Sequence, residues 1–61
     1  MKPRTLKRAR KTLGLTQLQL AQEIGYARNA VERWERGVYP IPMLVARHLT
    51  QKVGQKIGAN R

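Results

Sequence analysis

A chain of 61 residues with 13 lysines and arginines against three acidic residues carries a net charge of +10. At this length a single domain with a thin core is expected, and with no cysteine neither a disulfide nor a thiolate zinc site reinforces it. Most catalytic pockets need thicker walls, so an enzyme is not expected; the charge points to an anionic partner, nucleic acid before membrane. The uncharged stretch 38–46 contains Pro40 and Pro42 and is far short of the ~20 residues of a membrane span. No apolar segment follows the basic first residues, as a secretory signal would require, so a cytoplasmic protein in a reducing compartment is expected.

The first predicted helix covers 3–13, with Pro3 suited to the first turn and Gly14 to the left-handed position after the last. At 100° per residue Leu6, Ala9 and Leu13 share one face, and Arg4, Lys7, Arg8 and Lys11 occupy the opposite one. Arg10 falls beside the apolar stripe. The second helix runs over 16–24. Thr16 is a good N-cap, Gln19 sits at the capping-box position, and Gly25 ends the helix after the apolar set Leu20, Ala21 and Ile24.

The third predicted helix covers 27–36 and is closed by Gly37. Its inner face is Ala27, Ala30, Val31 and Trp34; its outer face is Arg28, Asn29, Glu32, Arg33 and Arg36. A fourth begins near Pro42 and groups Val45, Ala46, Leu49 and Val53. No alternating stretch suggests a strand, so the fold class is all-α. The expected core is Leu6, Leu13, Leu15, Leu20, Ala21, Ile24, Val31, Trp34, Val45 and Leu49. Residues 1–53 form the expected domain; the basic segment 54–61, with Gly54, Lys56 and Arg61, is an expected tail that frays.

Two short helices joined by the tight Gly25 turn, the second apolar inside and polar outside, make a helix-turn-helix. Three blocks sharpen this: Leu13-Gly14-Leu15-Thr16-Gln17, Leu20-Ala21-Gln22-Glu23-Ile24-Gly25 and Val31-Glu32-Arg33-Trp34-Glu35-Arg36-Gly37. All three, in register, resemble the phage-repressor and Cro-like (XRE-type) helix-turn-helix family over residues 4 to about 50. The resemblance implies a lambda-repressor-like bundle of four or five helices and a sequence-specific transcriptional regulator of double-stranded DNA, most simply a repressor. It places the third helix in the major groove, with Ala27, Arg28, Asn29, Glu32 and Arg33 at or beside base edges. Arg suits guanine, Asn adenine, and an alanine methyl the thymine methyl. It also puts a phosphate contact at Thr16 and Gln17 and a structural ion pair between Arg10 and Glu35. Lys7, Arg8, Lys11 and Arg36 are further expected phosphate contacts.

The chain departs from the family at Ala27, where many members carry a hydroxyl, and in its short basic tail, where many continue into a fifth, dimer-forming helix. The Trp34-Glu35-Arg36-Gly37 block followed by Pro40-Ile41-Pro42 is similar to a compact subgroup that includes phage-borne and anti-CRISPR-associated autorepressors. A homodimer on an inverted-repeat operator is expected, because one recognition helix reads only a few base pairs. No cofactor and no metal is expected. Trp34 is read as core rather than as a base-stacking platform. Tyr26 and Tyr39 are read as partial core or phosphate contacts, and His48 as a solitary surface histidine without an acid nearby. Gln19 and Gln22 are solubilising, whereas Leu18 and Leu44 point away from their apolar faces and are either ordinary exposed leucines or a dimer patch. The alternatives are a basic RNA-binding or ribosome-associated helical protein and a membrane-active cationic peptide. The first needs no register between the blocks; the second needs one broad apolar face and no glycine turns.

Overall fold

The computed structural model describes residues 1–58 and folds them into four α-helices: α1 (Pro3–Thr12), α2 (Gln17–Ile24), α3 (Arg28–Arg36) and α4 (Met43–Gly58). No strand occurs among the described residues, in keeping with the all-α expectation. The helix ends follow local chemistry. Pro3 opens α1, where its missing N–H is no loss. Thr16 and Gln19 form a reciprocal capping box. The Gln19 N–H donates to Thr16 Oγ1 at 3.1 Å, and the Thr16 N–H donates to Gln19 Oε1 at 2.9 Å. Gly25, at φ 77°, closes α2 in the left-handed region and lets the Tyr26 N–H reach the Ala21 carbonyl at 2.9 Å.

α3 packs against both α2 and α1, and α4 packs against α1. Leu6, Leu20, Val31 and Leu49 are fully enclosed between them, with Ala9, Ala21, Trp34 and Val45 also buried. Leu13, Leu15 and Ile24, expected in the core, are only partly buried and ring it together with Ala30, Ile41 and Val53. The difference has a simple origin. In a domain this small, residues at helix ends and turns lie at the rim of the core and keep one side in water.

Two expectations need correction. Ala27 does not belong to the inner face of α3. It is exposed and precedes the helix as its N-cap, with extended backbone at φ −78° and ψ 152°. The 100° count therefore does not apply to it. Nor does the chain lose helix at Gly54, because α4 runs through that glycine to Gly58. Val45 and Leu49 are buried and Val53 packs on the core, so the helix is anchored over more than two turns. Its continuation past one glycine costs only about 1 kcal/mol. Residues 59–61, including Arg61 of the expected tail, lie outside the described residues. No helix among the described residues is long and apolar enough to cross a membrane.

Candidate nucleic-acid interface

α3 is sharply two-faced. Val31 and Trp34 are buried, whereas Arg28, Asn29, Arg33 and Arg36 are exposed and Glu32 is half-buried. Trp34 is 4% exposed and meets the Tyr26 ring in an edge-to-face arrangement at a centroid distance of 4.9 Å and an interplanar angle of 70°. That contact pins the α2–α3 turn onto α3. Trp34 is thus core, and Tyr26, still 44% exposed, is a partial core residue.

The start of α2 is fixed to α3 by a buried polar network. Arg10 donates through Nε to Glu35 Oε2 at 2.6 Å, through Nη2 to Glu35 Oε1 at 3.1 Å, and through Nη1 to the Leu15 carbonyl at 2.8 Å. Gln17 Nε2 donates to the same Glu35 Oε1 at 3.2 Å. The Arg10 and Glu35 side chains are 10% and 5% exposed. No buried side-chain polar atom among the described residues is left without a partner. One carboxylate therefore ties Arg10 of α1 and the first residue of α2 to α3, and Arg10 in turn holds the loop before α2 through the Leu15 carbonyl. Gln17 keeps its amide oxygen and one N–H for an external partner. Thr16 accepts in the capping box and keeps its hydroxyl proton to donate.

The other two glutamates are engaged as well. Glu32 accepts from Arg36 Nη1 at 3.2 Å, one helical turn on. Glu23 accepts from His48 Nε2 at 2.9 Å and from Lys52 Nζ at 3.1 Å, which ties α2 to α4. Hydrogen bonds from His48 first, then Lys52, hold the Glu23 carboxyl below its ordinary value of 4.5, against a small opposing effect of burial. The reading of His48 as solitary is therefore corrected. It is half-buried against an acid that lies 25 positions away in the chain and is brought close by packing. No group of three His, Cys, Asp or Glu side chains assembles among the described residues.

With each glutamate committed inside the domain, Lys2, Arg4, Lys7, Arg8, Lys11, Arg28, Arg33, Arg47 and Lys56 have no carboxylate within 4.0 Å among the described residues. Two of these cations, Arg28 and Arg33, stand on the outer face of α3. Arg4, Lys7, Arg8 and Lys11 line a shallow cleft with Thr12 on the outer side of α1. A second cleft, lined by Lys2, Arg4, Lys7 and Arg8 together with Glu35, carries this stripe to the edge of α3. The structure thus gathers Gln17 and α3 around Glu35, and leaves the α1 stripe as a flanking patch. The sequence reading missed one contact on this surface. The Arg33 guanidinium lies 6.0 Å from the centroid of the Tyr39 ring, in the segment after α3. The signal available for it was the Gly37 stop, which turns the chain back towards α3.

A four-helix domain whose second and third helices meet at a tight glycine turn, with a cationic outer face on the third, is a DNA-binding helix-turn-helix domain. A sequence model of the helix-turn-helix family matches residues 6–47, from α1 into α4, and the chain belongs to this family in its XRE-type, Cro- and phage-repressor-like form. It is a DNA-binding helix-turn-helix regulator. No curated protein and no solved structure matches the chain.

Proposed function

We propose that the chain is a transcriptional repressor that reads the major groove of double-stranded DNA with α3 and occupies an inverted-repeat operator as a homodimer. The carrying observation is the outer face of α3, where Arg28 and Arg33 stand exposed without a carboxylate partner among the described residues while every glutamate is used inside the domain. In this reading Arg28 and Arg33 present their forks to guanine O6 and N7, and Asn29 pairs with the adenine edge. Ala27, exposed at the head of α3, offers its methyl to a thymine methyl. Glu32 accepts from a cytosine amine or steadies Arg36 for a phosphate.

Thr16 and Gln17 donate to one backbone strand with the hydrogens the capping box and Glu35 leave them. Lys7, Arg8 and Lys11 supply sequence-independent attraction from the α1 flank, as do the cations of segment 54–61 beyond the core domain 1–53. Two copies are required because one α3 carries too little information to mark a unique site, and half-sites one helical turn apart give the symmetry. The protein acts in the cytoplasm, where its DNA lies.

The test is selection of bound duplexes from a random-core double-stranded pool, followed by sedimentation of the complex on the selected duplex. An inverted repeat carrying two copies is expected. A selected pool without consensus, or a hairpin RNA of equal charge bound as tightly as the duplex, removes the reading in favour of a general nucleic-acid binder. One copy at saturation removes the dimer.

A further inference from the structure

Arg33 is the α3 cation that has an aromatic ring, and no carboxylate among the described residues, beside its guanidinium. Arg28 stands at the open start of the helix, and Arg36 is drawn aside by Glu32. Arg33 has no carboxylate partner among the described residues, and its guanidinium lies 6.0 Å from the Tyr39 ring centroid, at the outer limit of a cation–π contact. The backbone on both sides of Tyr39 determines this. Before it, Gly37 at φ 79° allows the Gly37 N–H to return to the Trp34 carbonyl at 3.2 Å and the Val38 N–H to the Arg33 carbonyl at 3.0 Å. The chain is thereby hydrogen-bonded to the very residue whose side chain it will cover. After it, Pro40 biases Tyr39 towards extended backbone, and Ile41 packs against the core. Tyr39 itself remains 55% exposed, so its ring is not recruited to the interior.

We infer that Tyr39 is the positioning residue for Arg33: its ring face holds the guanidinium plane so that the fork enters the groove already oriented, and it thereby sets discrimination at the base pair Arg33 reads. The inference rests on the proposed reading of bases by α3. An arginine has many rotamers to lose on making a bidentate contact, and a fork restrained before binding loses fewer of them. A ring face is suited to this task where a carboxylate is not. An acid beside Arg33 would occupy the same N–H groups that the base needs, whereas the ring attracts the plane and leaves the donors free.

The experiment uses the full chain and the duplex selected by it from the random-core pool, together with the set of its single-base-pair variants. Arg33→Ala identifies the base pair at which discrimination is lost. Tyr39→Ala is expected to reduce discrimination at that same base pair by about two- to fivefold, with the other positions and the salt slope unchanged. Tyr39→Phe keeps the ring face and should retain wild-type discrimination. In an Arg33→Ala background Tyr39→Ala should add no further loss at that position. Circular dichroism melts of each variant accompany the binding, since an exposed ring can be removed without unfolding the domain. Should Tyr39→Ala weaken all duplexes alike, or act equally with and without Arg33, the positioning role is overturned while α3 still reads bases. Should Arg33→Ala itself leave discrimination intact at every position, the base-reading role of Arg33 fails first and the inference falls with it.

Discussion

Removing Glu35 tests how the buried network holds the domain together. Glu35→Ala strands the Arg10 guanidinium at 10% side-chain exposure, with the Leu15 carbonyl as its remaining partner, and takes the acceptor from Gln17. Breaking a buried pair in this way costs about 3–5 kcal/mol. A domain of 61 residues holds roughly 3–9 kcal/mol in all, from 0.05–0.15 kcal/mol per residue. The single variant is thus expected to lie at or beyond the edge of folding, and Arg10→Ala, which strands Glu35, likewise. The double variant leaves neither charge buried, so it should be more stable than the two single losses added together predict, with a coupling on the order of 2–3 kcal/mol. Urea unfolding read from the fluorescence of Trp34, the one tryptophan in the chain, measures each corner of the cycle. An excluded osmolyte common to all four proteins brings the weaker ones into range. A coupling below about 0.5 kcal/mol would refute the claim that the two charges depend on each other.

Trp34→Ala empties the space between α3 and the Tyr26 ring and should lower stability by about 3–5 kcal/mol; an unchanged thermal melt would show that the core lies elsewhere. Thr16→Ala removes the capping box at α2 and should destabilise by about 1 kcal/mol in the same urea assay. Glu23 has a depressed folded-state pKa, so the stability it contributes is fully present above its unfolded value, near 4.5, and is lost as pH falls through the lower folded value. Melts of the wild type against Glu23→Gln across that acid window should converge at the low end; parallel curves would mean the α2–α4 clip adds nothing. Lys7→Ala should weaken binding to cognate and scrambled duplexes alike and reduce the salt slope by about one, whereas Arg28→Ala should weaken the cognate duplex by about 1–3 kcal/mol and the scrambled one less. Equal losses on both duplexes for Arg28→Ala would show that it positions rather than reads.

The features readable in the sequence are those whose causes are local. Pro3, Thr16 with Gln19, Gly25 and Gly37 each act within one helical turn, so they place the helix ends to within a residue or so. Periodicity likewise separates Val31 and Trp34 from Arg28, Asn29 and Arg33. Arg10 and Glu35 are 25 positions apart, yet they were paired by resemblance and by the odd placement of Arg10 beside an apolar stripe. Glu23 and His48 are separated by the same 25 positions and carry no such mark. Their meeting depends on how α4 lies across α2, a tertiary fact with no sequence period. The contact of Tyr39 with Arg33 carries no mark for a related reason: it is set by the path of the chain after Gly37, and a helical wheel stops where the helix does. Ala27 lies one residue before the stretch to which the wheel applies, and α4 continues past Gly54 because Val53 packs on the core.

The division of α3 into an enclosed side and an open side bears on how this domain changes over generations. Val31 and Trp34 face inward, whereas Arg28, Asn29 and Arg33 add no buried surface to the core. Exchanges at such exposed positions typically alter stability by no more than about 0.5 kcal/mol. On the proposed reading of bases by α3, a lineage can therefore rewrite its target one residue at a time while every intermediate still folds. A chain with so little stability to lose could not survive such a route if recognition and folding drew on the same side chains. Glu35, bonded to the proposed phosphate contact Gln17, is where the two would be joined, and there the freedom ends.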